Sequence, residues 1–166
     1  KNGCKIILNP APFKIFDPDI LPNIDVLTPN MFELNQILNY LKGQEVVPED
    51  AEDIKFIEDG ARFLIDKGVK NVIVTLGSRG CIYVNDKDSL KFGTFKVDPV
   101  DSTAAGDTFT SAFAFKYVQG DSIEDAIKFA SAASAIAITR KGAIRSIPTL
   151  DEVEDFLRYN RIRPFE

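Results

Sequence analysis

The sequence predicts an α/β protein with a mostly parallel central sheet covered by helices. Two short apolar segments of strand length, residues 5–9 (KIILN) and 25–28 (DVLT), are each followed directly by a proline. A third segment, residues 71–76 (NVIVTL), is a continuous apolar run, which suits a strand buried on both faces of a sheet. Segments with helical spacing alternate with these strands, and this alternation predicts parallel pairing.

Helical spacing of apolar residues predicts two helices between the second and third strands. Asn30 begins the first helix, which runs to about Leu41 and ends at Gly43. Pro48 suits the first position of the next helix, which continues until Gly68. Their apolar positions are Phe32, Leu34, Ile37, Leu38 and Leu41, then Ile54, Ile57, Ala61, Leu64 and Ile65.

Beyond the third strand the sequence predicts a reversal, short strands and three more helices. Residues 77–80 (GSRG) turn the chain, residues 81–85 (CIYVN) pair back as a strand, and residues 90–97 add one or two more. The helices are one stopped by Gly120, an Ala-rich one from the pair Ser122 and Asp125 to about Thr139, and an amphipathic one from the pair Thr149 and Glu152. Both pairs have capping-box spacing, and the Ala-rich helix should be deeply buried.

Composition limits the function classes. The chain has 166 residues, of which 45% are apolar and 27% charged, as expected for one soluble domain, here taken as a single partial domain over residues 1–166. A net charge of -5 with mixed signs argues against nucleic acid or an anionic membrane as partner. The absence of histidine excludes Ser-His-Asp and Cys-His catalysis. Cys4 and Cys81 lack metal-site spacing and favour a reduced, cytoplasmic setting.

Residues 101–109 (DSTAAGDTF) carry the most informative local chemistry, and we expect residues 101–107 to lie at the carboxyl end of a strand, in the turn from strand to helix. Ala104, Ala105 and Gly106 have small side chains, so their N–H groups at a helix start can approach and bind an anion such as a transferring phosphoryl group. Asp107, directly beside them, can accept a proton from an attacking hydroxyl. The alternative, an acid that merely stabilises a first helical turn, stays open on local chemistry alone. Neither a GxxxxGK[ST] nor a GxGxxG motif occurs.

This motif is one of five segments that follow one another in a recognisable order: NPAP (9–12), TPNMFE (28–33), VTLGSRG (74–80), DSTAAGDTF (101–109) and AIAITRKGAIRSIP (135–148). Together they resemble the ribokinase and phosphofructokinase-B family of sugar kinases over nearly the whole chain. The resemblance implies a three-layer αβα sandwich and assigns Asp107 as the catalytic base, with Ala104, Ala105 and Gly106 as the anion hole. It also implies that Asn30 and Glu33 arrange Mg²⁺ and the phosphates through water, although the same spacing describes a capping box.

The resemblance further implies an ATP site and an activating cation. The ATP-binding turn is matched by Thr75, Leu76, Gly77, Ser78, Arg79 and Gly80, with Ser131 at an adenine-contact position; a plain hairpin is the alternative for the turn. An activating K⁺ would be bound by oxygens of Asp101, Thr103, Ala137, Arg140, Gly142 and Ser146. Without the resemblance, Asp101 is a turn acid, and Arg140 with Lys141 complements a helix C-terminus.

The implied reaction is transfer of the γ-phosphate of ATP to the 5-hydroxyl of D-ribose. Alternatives are another sugar or a nucleoside as acceptor, a truncated non-catalytic nucleotide-binding module, and an unrelated α/β nucleotide-binding domain. The sequence departs from the family pattern at Met31, Phe32 and Phe13. The chain reads as a piece that starts mid-protein, without the family's N-terminal part and lid, so we expect little activity from it alone and a possible homodimer only with the lid.

Overall fold

The computed structural model describes residues 3–43 and 53–165. These residues belong to two compact units. The first unit comprises Lys1–Gly77 and Cys81–Lys91, and the second comprises Ser78–Gly80 and Phe92–Glu166.

The sheet lies in the first unit except for its last residue, Phe92, and its strands follow the order β1-β2-β3-β4-β5. The strands are β1 Ile7–Leu8, β2 Val26–Leu27, β3 Val72–Thr75, β4 Cys81–Val84 and β5 Ser89–Phe92. β1, β2 and β3 are parallel, and β4 returns antiparallel to β3. The predicted α/β class with a mostly parallel sheet is confirmed, and the apolar run at residues 71–76 is explained by the burial of β3. The strands are shorter than the segments that predicted them.

The two helices of the first unit begin and end at capping residues. Helix α1, Met31–Lys42, has Asn30 as its N-cap and Gly43, in the left-handed conformation, as its C-cap. Helix α2, Ile54–Asp66, begins after Asp53, whose side chain accepts from the Lys55 amide. The predicted start at Pro48 lies outside the described residues. Phe32 was expected among the apolar positions of α1, but its side chain is 73% exposed.

The second unit is built from three helices: α3 Ala105–Gln119, α4 Ile123–Ile138 and α5 Leu150–Tyr159. The Ala-rich helix α4 is deeply buried, as predicted. Its start differs from a full capping box, because the Ser122 hydroxyl accepts from the Asp125 amide and donates to the Asp125 carboxylate. Thr149 and Glu152 form the complete box that their spacing predicted.

The segment before α3 follows the prediction only in part. One of the one or two short strands predicted over residues 90–97 is confirmed as β5, which ends at Phe92, whereas Phe95 and Val97 pack into the helical core of the second unit. Their alternation resembles a strand because an extended segment with one buried face has the same pattern. The motif at residues 101–107 was expected directly after a strand, but no strand covers residues 93–104; the Val100 and Asp101 amides donate to the Ile138 carbonyl instead.

Neither cysteine forms a disulfide. Cys4 is exposed, whereas Cys81 is buried. Burial raises the pKa of Cys81 to about 12. Over residues 3–43 and 53–165, no helix has the length and apolar character needed to cross a membrane.

Candidate active site

Helix α3 begins at an N-cap that differs from those of the other described α-helices, because no side chain caps it. Its N-cap is Ala104, with φ 62° and ψ 13°, and no side chain caps the helix. Among the described residues, Ala104 is the one non-glycine residue with a positive φ. An alanine in the left-handed region costs about 1–2 kcal/mol and offers no side-chain acceptor for the first amides. The first amides of α3 therefore have no capping side chain to bind, and the N-cap residue is held in a strained conformation.

The amides at this helix start are not equivalent. Ala105 donates its N–H to the Ser102 carbonyl at 3.2 Å, so the predicted role of that amide in the anion hole competes with an internal hydrogen bond. The Gly106 N–H has no acceptor within the described residues. A Cβ added at Gly106 would meet no atom within 4 Å, so packing does not explain the glycine. Space for a ligand lies directly against the Gly106 backbone.

Asp107 is exposed in the first turn of α3, next to Gly106. It also lines a cavity of about 310 Å³ in the second unit, together with Ala104, Thr108 and Ser111 of the α3 start and first turns. The Thr108 hydroxyl is buried without a hydrogen-bond partner in the described part of the chain. The rest of the cavity wall is mostly apolar side chains from α3, α4, α5 and residues 147–149.

The loop before α3 is held by the Asp101 carboxylate. Its Oδ1 accepts from the Thr103 amide at 2.9 Å, and its Oδ2 accepts from the Gly142 amide at 2.9 Å. Hydrogen bonds from the Thr103 side chain and from the Gly142 and Thr103 amides lower the pKa of Asp101 to about 2. The carboxylate is therefore charged at neutral pH and joins two segments of predicted cation ligands.

The remaining predicted cation ligands lie at or just after the end of α4 in the same unit. Ala137 is buried in the last turn of α4, and its carbonyl accepts from the Arg140 amide at 3.1 Å. Ser146 is fully buried, and its hydroxyl donates to the Ala143 carbonyl. The Arg140 side chain forms two hydrogen bonds with Glu152 of α5, a contact that sequence reasoning missed. A second missed contact is the Ser134 hydroxyl, which donates to the Ala105 carbonyl at 3.1 Å.

In the first unit, Asn30 and Glu33 form the capping box that the sequence left as an alternative. The Asn30 side chain accepts from the Glu33 amide at 2.9 Å, and Glu33 Oε2 accepts from the Asn30 amide at 2.8 Å. Glu33 is half-buried, and its other oxygen, Oε1, makes no hydrogen bond within the described residues. The capping role therefore leaves one carboxylate oxygen for a further ligand.

The predicted nucleotide-binding turn begins beside this capping box. Thr75, at the carboxyl end of β3, bridges to Asn30 in a parallel register, and its amide donates to the Pro29 carbonyl. Parallel strands therefore place the Asn30 box and the start of the turn side by side, where ligands bind in such sheets. Leu76 follows Thr75, and Ser78 with Arg79 completes the short 3₁₀ turn Gly77–Arg79.

The two glycines of this turn have different structural reasons. Gly77 has φ 60°, and a Cβ there would meet nothing within 4 Å. Gly80 has φ 102°, and its Cβ would lie 2.0 Å from the Phe92 carbonyl oxygen. Gly80 is therefore required because a side chain there would clash with the backbone at Phe92, whereas the space beside Gly77 is unfilled by the described residues. Ser131, on α4, is 5% exposed, and its predicted adenine contact stays a prediction.

Comparison with known proteins gives one consistent family. The model of the pfkB family of carbohydrate kinases matches residues 1–150. A ribokinase of Haemophilus influenzae is 40% identical over 159 residues, which are 96% of this chain and 49% of that protein. The solved ribokinase of Thermotoga maritima is 40% identical with a TM-score of 0.85, over 94% of this chain and 50% of the other.

A second solved structure, Arabidopsis thaliana ribokinase complexed with ribose and ATP, is 32% identical with a TM-score of 0.80. The match covers 95% of this chain and 48% of the Arabidopsis thaliana chain. The chain thus spans about half the length of the curated relatives and solved structures it matches.

Proposed function

The chain belongs to the pfkB family of carbohydrate kinases, and from this membership we propose that it carries the phosphate-donor part of an ATP-dependent sugar kinase. The proposed reaction transfers the γ-phosphate of ATP to the 5-hydroxyl of D-ribose. The start of α3 carries the proposal, because it combines an uncapped helix N-terminus, an amide without an internal acceptor at Gly106 and an exposed carboxylate at Asp107.

In the proposed step, the sugar hydroxyl oxygen attacks the γ-phosphorus and its proton passes to the Asp107 carboxylate. The bond from the γ-phosphorus to the bridging oxygen breaks, and ADP leaves with the electron pair. The Gly106 N–H and the positive end of the α3 dipole stabilise the charge on the transferring phosphoryl oxygens. Ala104, the N-cap, and Ala105, the first residue of α3, border the space for the phosphoryl group.

Magnesium fits the residues present in the first unit. Among the described residues, no group of three or more His, Cys, Asp and Glu side chains could hold a metal ion alone. Mg²⁺ with nucleotides is bound mainly by phosphates and water, with one or two carboxylates, so a single available oxygen on Glu33 suits it. When bound, the ion neutralises phosphate charge. Glu33 would hold it through water, and Asn30 orients Glu33.

Potassium fits the loops that Asp101 joins. A charged carboxylate and several loop carbonyls in one unit match a large, weakly hydrated cation that prefers oxygen ligands. The residues that would hold it are Asp101, Thr103, Ala137, Arg140, Gly142 and Ser146. The ion would add a fixed positive charge near the start of α3. Thr75, Leu76, Gly77, Ser78, Arg79, Gly80 and Ser131 remain the proposed ATP contacts.

Sugar-dependent release of ADP tests this proposal, measured on the natural polypeptide that carries this sequence. Ribose, 2-deoxyribose, fructose 6-phosphate and a nucleoside are compared as acceptors at saturating MgATP. We expect the highest kcat/KM with ribose. A clear preference for another acceptor would reassign the substrate within the family, and binding of MgATP without turnover of any acceptor would favour a non-catalytic nucleotide-binding module.

A further inference from the structure

We propose that Glu152 of α5 is a positioning residue for the loop at residues 101–104 before α3, acting through Arg140; this inference rests on the proposed phosphate-binding function of the α3 start. Glu152 Oε1 accepts from Arg140 Nη2 at 2.7 Å, and Oε2 accepts from Nη1 at 3.2 Å. Two parallel hydrogen bonds fix the direction of a guanidinium as well as its distance. The C-terminal helix thereby holds the residue that begins the 140–146 segment.

A short series of contacts leads from Arg140 to the start of α3. Gly142, two residues after Arg140, has φ 87° and donates its amide to Asp101 Oδ2. The same carboxylate accepts from the Thr103 amide through Oδ1. Thr103 directly precedes Ala104, the strained N-cap of α3. A shift of Arg140 therefore moves Gly142, and with it the carboxylate that shapes the turn into α3.

Glu152 is better fixed than an ordinary surface carboxylate. Its Oε2 also accepts from the Thr149 amide at 2.8 Å, while the Thr149 side chain accepts from the Glu152 amide. The next residue, Val153, is 2% exposed in the hydrophobic core of this unit. Exposed ion pairs contribute little when two mobile side chains must be ordered. Here the cap and the core have already ordered one partner, so the pair can transmit position.

Three variants of the natural polypeptide that carries this sequence separate the ion pair from the helix cap. Glu152→Gln keeps the capping box, because glutamine also serves at this position, but removes the charge that holds Arg140. Arg140→Met removes the guanidinium and leaves the cap intact. Asp155→Asn is the matched control, since it breaks another exposed carboxylate–arginine pair on α5, that of Asp155 with Arg158.

Two readouts are taken on ¹⁵N-labelled protein: exchange of the Gly142 amide hydrogen, and the shift of the Gly106 amide signal during titration with MgATP. We expect Gly142 exchange to be faster and the MgATP Kd higher, each about two- to fivefold, in Glu152→Gln and in Arg140→Met. A further variant that combines Glu152→Gln with Arg140→Met should add little to either single change. Asp155→Asn should match the wild type in both readouts, and thermal stability should be similar in all variants.

Equal Gly142 exchange in Glu152→Gln, Arg140→Met and the wild type would overturn the inference. So would faster exchange with an unchanged MgATP Kd, because the pair would then serve structure alone. If the wild-type chain shows no Gly106 response to MgATP, the proposed function fails instead. Gly142 exchange would then still decide whether Glu152 holds the loop.

Discussion

The Asp101 carboxylate accepts a hydrogen bond from the Gly142 amide, with 2.9 Å between Oδ2 and N, although the two residues are 41 positions apart in the sequence. The same side chain accepts from Thr103, so one carboxylate closes the loop before α3 and joins it to the segment after α4. This relationship brings together the motif at residues 101–107 and the segment at 140–146, which were matched to the family separately. It also makes the arrangement sensitive to the charge of one side chain.

Protonation of Asp101 should weaken this connection at low pH. Its folded pKa of about 2 lies below the ordinary aspartate pKa of 3.8, so its contribution to stability is complete above about pH 4 and is lost as the pH falls towards 2. Thermal unfolding of the wild type and of Asp101→Asn should therefore differ most above pH 4 and converge near pH 2. A difference in Tm that is independent of pH between 2 and 6 would contradict this reason.

Replacing Gly106 with alanine should separate stability from catalysis. A Cβ at this position meets no atom within 4 Å, and alanine is favoured over glycine in a helix by about 1 kcal/mol. The variant should therefore be as stable as the wild type or slightly more stable. The added methyl group narrows the phosphate space, so kcat for phosphoryl transfer should fall about 10- to 100-fold. Wild-type kcat in this variant would refute the anion-hole assignment.

Gly80 and Gly77 offer a direct comparison of a glycine required by packing with one beside open space. Gly80→Ala places a Cβ 2.0 Å from the Phe92 carbonyl oxygen and should lower the free energy of unfolding by about 2–5 kcal/mol. Gly77→Ala meets no such contact and should cost only about 1–2 kcal/mol for its positive φ. Urea unfolding measures both, and equal losses would show that the clash at Gly80 is relieved by backbone movement.

The local features of the fold were predictable from the sequence. The boxes at Asn30–Glu33 and Thr149–Glu152 depend on residues three apart, and Gly43 and Gly120 end helices through conformations that glycine adopts readily. Such signals depend on neighbours in the chain, so a single sequence contains them. The family resemblance then supplied the site residues that spacing alone left undecided.

The contacts that shape the site were not predictable in the same way. Arg140 and Glu152 are 12 residues apart without a shared helical face, and only the packing of α5 brings them together. Nothing in the sequence distinguishes Gly80, which avoids the chain's own backbone, from Gly106, which faces open space. The extended pattern at Phe95 and Val97 predicted a strand because burial on one side has the same period.

The proposed role of Asp107 as the base of a sugar kinase is tested by ribose-dependent ADP release by the natural polypeptide and its Asp107→Asn variant. Asparagine keeps the size of the side chain but cannot accept the proton. We expect kcat to fall about 10²- to 10⁴-fold, while the Kd for MgATP changes less than about threefold, within the spread of a single weak contact. Ribose-dependent turnover in Asp107→Asn at the wild-type rate would contradict this role of Asp107.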